Sequence, residues 1–120
     1  MSWKDLDIEK INTIEKLVAE FEVSALSFFE EVYEGDQIPF GSFKVRIYEQ
    51  KESNTFIGYT NLKLKDPLGG FEGAIGYGLK IEDALVDIIK NFKNNVCDYM
   101  DICKRKLNKD DFSLVSYDEF

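Results

Sequence analysis

"IEKINTIEKLVAEFEVSALSFFEEVYE", residues 8–34, sets the first element and with it the architecture. Ile8, Ile11, Ile14, Leu17, Val18, Phe21, Ala25, Phe28, Phe29 and Val32 fall on one half of a 3.6-residue wheel. Glu9, Lys16, Glu20, Ser27, Glu30 and Glu34 fall on the other. Asp5 or Asp7 precedes the run as an N-cap, and Gly35 follows it as a C′ residue. The pattern predicts a helix over 8–34. Val23 interrupts the outer face and Leu26 sits at its edge, so the element is one long helix or two collinear ones.

Beyond "GDQIPFG" (35–41) the period changes to two. Phe43, Val45 and Ile47 alternate with Lys44, Arg46 and Tyr48, a half-buried strand over 43–50. "KESN" (51–54) turns into a second strand over 55–65, with Phe56, Thr60, Leu62 and Leu64 on one side and Ile57, Tyr59, Asn61, Lys63 and Lys65 on the other. "DPLGG" (66–70) turns again, and "FEGAIGYG" (71–78) gives a third. Short loops make an antiparallel meander the economical topology. Ile81, Ala84, Leu85, Ile88, Ile89, Phe92, Val96, Tyr99, Met100, Cys103 and Leu107 then share one face of a helix over 81–107. Residues 108–120 form an acidic tail that adds a short strand or packs loosely.

The expected fold is a single α+β domain spanning 1–120: a three-stranded antiparallel meander with two long helices on one face, in the order α-β-β-β-α. A helix over 81–107 is roughly 40 Å long, against roughly 27 Å for an eight-residue strand. It overhangs the sheet, so Val96, Tyr99, Met100, Cys103 and Leu107 must be covered by the first helix or by a second copy. They are the candidate homodimer contact.

Five glycines in 69–78 lead into this helix and raise the question of a phosphate loop. A P-loop requires G-x-x-x-x-G-K-[ST], but Gly78 is followed by Leu79, Lys80 and Ile81. The dinucleotide fingerprint belongs to a parallel βαβ unit, and Glu82 and Asp83 in the first helical turn would repel an anion. Close helix–sheet approach and a twisted or bulged edge strand are the simpler use of small residues.

The element order, with "GYG" (76–78) running into "IEDALVDIIKNF" (81–92), resembles the double-stranded-RNA-binding domain. It is also similar to small HicB-type antitoxins, in which a hairpin strand leads into a helix opening on an acidic-Ala-Leu segment. The likeness covers 8 to about 96 as topology and 76–92 as motif. The RNA-binding family grips phosphate with a lysine cluster at the start of its second helix. The matching positions Lys80, Ile81, Glu82 and Asp83 hold one base, which argues against direct nucleic-acid binding.

Charge points the same way. Net charge is −8, with three lysines against ten acids in 1–36, a mildly basic 37–80, and one lysine against four acids in 108–120. Such a field favours cationic partners. With no histidine in the chain, the commonest general base and metal ligand is missing. Cys97 and Cys103 would lie about 9 Å apart along a helix, too far to bridge, and read as reduced thiols. No cofactor or metal site and no enzymatic activity is expected. "MSWKDLDIEK", charged from position 4, does not look like a signal peptide, and no apolar run approaches a membrane span. A cytoplasmic protein is expected.

Two surfaces remain. Glu9, Glu20, Glu30, Glu31 and Glu34, with Asp36, would form an acidic stripe on the first helix, spaced to imitate a nucleic-acid backbone. The open sheet face would carry Lys44, Arg46, Tyr48, Ile57, Tyr59, Asn61, Lys63 and Lys65, where tyrosines serve a protein interface or stack single-stranded bases. In size and charge the chain resembles phage anti-defence (anti-CRISPR-like) proteins and immunity proteins of toxin systems. That resemblance implies a non-enzymatic inhibitor of a basic, nucleic-acid-handling enzyme, a nuclease or effector. A nucleic-acid-binding module and a homodimeric scaffold are the alternatives.

Overall fold

The computed structural model describes residues 2–34, 41–66, 68–116 and 119–120. Its elements are β1 (Glu15–Ser24), α1 (Leu26–Val32), β2 (Ser42–Gln50), β3 (Phe56–Lys65), β4 (Phe71–Gly78), α2 (Ile81–Cys103) and β5 (Phe112–Leu114). They form an α+β fold around one antiparallel five-stranded sheet in the order β1-β2-β3-β4, with β5 also paired to β3. The expected three-stranded sheet with two long flanking helices is therefore corrected. Residues 8–34 are not a helix: β1 and the short α1 take their place, and Gly35, the expected cap, lies outside the described residues.

A bulge explains the misleading period. On β1, Leu17 faces Tyr48 and Ala19 faces Ile47, so Val18 is an extra residue with no partner of its own. Before the bulge the parity runs one way and after it the other. Val18, Ala19, Phe21, Val23 and Ala25 all reach the core, while Glu20, Glu22 and Ser24 are exposed. Shifting parity at residue 18 leaves apolar side chains at 14, 17, 18, 21 and 25, which is also a helical spacing. Val23, which interrupted the helical wheel, belongs to the strand alternation and faces Phe43.

α2 packs on β4 and β3. The seat is made by Gly58, Gly76 and Gly78, whose missing side chains would collide with Ile88, Ile88 and Ala84 respectively. The glycine-rich stretch is thus helix–sheet packing. Val45, Ile47 and Leu62 of the sheet, with Ala84, Ile88, Phe92 and Val96 of α2, are buried in the core, and Phe29 of α1 closes one end against Phe43, Phe92 and Phe112.

Midway along β3 the partner changes. Phe56–Thr60 pairs with β2, whereas Leu62–Leu64 pairs with β5. Asn61 stands at the fork, where its side-chain oxygen accepts from the Lys44 N–H at 2.7 Å and its carbonyl from the Val115 N–H at 2.9 Å. Thr60 bridges the irregular opposite edge, its hydroxyl accepting from the Ala74 N–H and donating to the Leu62 carbonyl, both at 2.9 Å.

The far end of α2 is covered from within the chain. Lys104 ends the helix in the left-handed conformation, and Leu107 forms a bridge with Tyr33 beyond α1. Val96 and Leu107 are fully buried, Tyr99 nearly so, and Met100 and Cys103 pack against the same core. The side chains expected to be covered by the first helix or by a second copy pack against this chain's own core. Asp111 locks this end: its carboxylate accepts two bonds from Arg105 (2.8 and 2.9 Å), one from the Asn108 N–H (2.8 Å) and one from the Tyr99 hydroxyl (3.2 Å). The Arg105 guanidinium holds the Asp111 carboxyl below its ordinary range, and burial, first of all, pushes the Tyr99 phenol up to about 12.

Candidate functional site

The face of the sheet turned away from α2 follows from strand parity. Gly76 and Gly78 face the helix, so Ile75 and Tyr77 project from the other side. Register places Ile57 and Tyr59 of β3 beside them, then Lys44, Arg46 and Tyr48 of β2, then Glu20 and Glu22 of β1.

A cleft of about 700 Å³ opens on this face. Tyr48 and Tyr59 line it with ring centroids 6.0 Å apart at 67°, an edge-to-face pair. Phe71, Glu72, Gly73 and Ile75 of β4 line one side, and Lys63 and Glu15 complete the rim. Val115, Glu119 and Phe120 come from the C-terminal segment, which β5 and the Val115–Asn61 bond carry onto this face. Arg46 lies beneath that segment: its guanidinium carbon is 4.6 Å from the Phe120 ring centre, and its Nε donates to Glu20 at 2.8 Å.

Electrostatics are acidic and aromatic. Glu15, Glu119 and Lys63 carry the rim charges of the cleft, whereas strand parity sets Glu72 with Ala74 and Gly76 towards α2, near Asn95 and Asp98. The Tyr59 phenol is raised above its ordinary value, by burial first and by the Glu15 carboxylate next. Such a site suits a cation: tyrosine faces attract an ammonium or guanidinium group, and carboxylates at the rim neutralise it. A phosphate would meet the carboxylates of Glu15 and Glu119. Among the described residues no group of three or more cysteine, aspartate or glutamate side chains is placed to hold a metal ion.

The sequence-derived candidates scatter. Glu9 sits in the N-terminal segment, Glu20 on β1 bound to Arg46, Glu30 and Glu31 exposed on α1, and Glu34 beside the Tyr33–Leu107 bridge. Asp36 lies outside the described residues. The acidic stripe along one long helix does not form, because β1 and the short α1 replace that helix. Tyr48 and Tyr59, by contrast, meet. Glu15 went unnoticed because the helical wheel hid its position on β1 opposite Gln50. Phe71 and Ile75 had a visible signal, the alternation of apolar residues with small ones in "FEGAIGYG".

Among the described residues no helix is long and apolar enough to cross a membrane. No known family model matches the chain, and no solved structure matches it.

Proposed function

We propose that the chain is a non-enzymatic cytoplasmic inhibitor that docks on a basic, nucleic-acid-handling enzyme through the open face of its sheet. The observation that carries this reading is the cleft uniting Tyr48 and Tyr59 with Glu15 and Glu119. Surfaces that grip phosphate backbones present lysines and arginines, and one such side chain fits between tyrosine faces and carboxylates. Exposed Phe71, Ile75 and Tyr77 extend the contact along β4 and supply apolar area beside the charged pocket. The anti-defence and toxin-immunity proteins that the chain resembles in size and charge would act in this way. Capture now falls to the sheet rather than to an acidic helix.

The test is affinity capture from the native host with the wild-type chain and with a Tyr48→Ala/Tyr59→Ala variant. A basic nuclease or nucleic-acid-binding enzyme should be recovered with the wild type alone, and its activity should fall on adding the chain. Retention of labelled RNA or DNA at low salt, lost in the same variant, would instead identify a nucleic-acid-binding module.

A further inference from the structure

The two terminal strands of the sheet are finished differently. β4 is closed by its own helix: Asp87 accepts from the Tyr77 N–H at 2.9 Å, and Asn91 donates to the Ile75 carbonyl at 2.8 Å. These two α2 side chains answer outward-facing backbone groups that an added strand would otherwise use. Among the described residues β1 has no comparable cover. It pairs with β2 on one side, and among the described residues no strand pairs with it on the other. Past the bulge, Ala19–Ser24 keeps unbroken register with Ile47–Ser42, contains no proline, and carries no lysine. The strand's single base, Lys16, lies before the bulge. Lysine and proline, two of the usual deterrents to edge pairing, are absent from this stretch, and its charges are the carboxylates Glu20 and Glu22.

We propose that the Ala19–Ser24 edge accepts an extended basic segment of a partner protein as an added strand. Charge selects the occupant. Alternate side chains of the incoming segment would fall beside exposed Glu20 and Glu22 on the open face, where lysine or arginine is favoured as cross-strand neighbour. The intervening side chains would fall beside half-buried Phe21 and Val23, where valine or isoleucine extends the core. α1 begins two residues after the strand and adds exposed Glu30 and Glu31 at that end. A second copy of β1 is the wrong occupant: antiparallel self-pairing with matched faces sets Glu20 against Glu22. The edge takes its basic partner from the function proposed above, but it is a surface separate from the tyrosine cleft. Main-chain bonds would supply affinity and the alternating pattern specificity.

The experiment uses the full chain and a short peptide alternating lysine and valine, followed by fluorescence anisotropy and amide hydrogen exchange. Binding should slow exchange at residues 19–24. A glutamate–valine peptide should not bind. A lysine–valine peptide N-methylated at alternate residues, unable to form the ladder, should not bind either. Glu22→Lys should weaken binding by about tenfold. Tyr48→Ala/Tyr59→Ala should leave it unchanged, which separates failure of this inference from failure of the cleft. Equal binding of the N-methylated peptide, protection at Tyr48, Tyr59 and Ile75 instead of β1, or no binding of the lysine–valine peptide would overturn the proposal.

Discussion

Gly76 lies directly under Ile88: a methyl group added to the glycine would come within 2.5 Å of the Ile88 backbone nitrogen. The obstacle is helix backbone, which no rotamer change can move aside. α2 and β4 therefore approach as closely as they do because residue 76 has no side chain.

Gly76→Ala should destabilise the chain by about 1–3 kcal/mol, the range for overpacking a well-filled core. Gly41 is the control, since among the described residues its added methyl would touch only Leu26 Cδ1, at an ordinary 3.9 Å. Gly41→Ala should stay within about 0.5 kcal/mol of wild type. Urea denaturation of the three proteins measures both values.

Val23→Lys distinguishes strand from helix at the N-terminal end of the sheet. A helix over 8–34 would put Val23 on its outer face and tolerate the lysine. On β1 Val23 faces Phe43 and packs against the core. The substitution should cost about 1–2 kcal/mol, while Glu22→Lys on the exposed face should cost under about 0.5 kcal/mol. Equal stability of the two variants would contradict the strand.

Both variants bear on what a reader of the sequence could see. Alternation at 43–48 was legible because β2 is regular through Phe43, Val45 and Ile47, all buried. The face of α2 was legible because Ala84, Ile88, Phe92 and Val96 repeat every four residues, all on the core side. β1 was not, because one bulged residue at Val18 converts a period of two into a spacing that fits a helix as well. The fork at Asn61 was also hidden, since an asparagine in a strand does not announce that its side chain will stand in for a strand partner. Within the site, the tyrosines were visible from their parity. Glu15 and the returning Phe120 depend on pairings distant in sequence, which local periodicity does not encode.

Asp111 should make stability fall in acid. Its carboxyl titrates below the ordinary value in the folded chain, owing first to the bonds from Arg105. The unfolded value is about 3.9, so the contribution is fully present above that pH and is lost as pH falls through the lower folded value. Asp111→Ala should cost about 1–3 kcal/mol at neutral pH by stranding the Tyr99 hydroxyl and the Asn108 N–H. It should also flatten the stability profile below about pH 4, as read by denaturation across an acid series.

Glu15→Gln should lower the Tyr59 pKa. The Glu15 carboxylate is the second cause of that phenol's upward displacement, after burial. Removing the charge should bring the titration partway towards the ordinary value of about 10, leaving the part due to burial. A ring-carbon NMR titration of Tyr59 in both proteins checks it. An unchanged midpoint would separate Glu15 from the cleft.

The most direct test of a cation-accepting cleft is backbone NMR of the full chain titrated with an arginine-rich peptide and, separately, with a single-stranded oligonucleotide. The peptide should shift Tyr48, Tyr59, Ile75 and Phe120 together, with the oligonucleotide leaving them in place. Shifts at those residues from the oligonucleotide, or peptide shifts spread over Glu9, Glu30 and Glu31 without the tyrosines, would contradict a sheet face built to capture a basic protein.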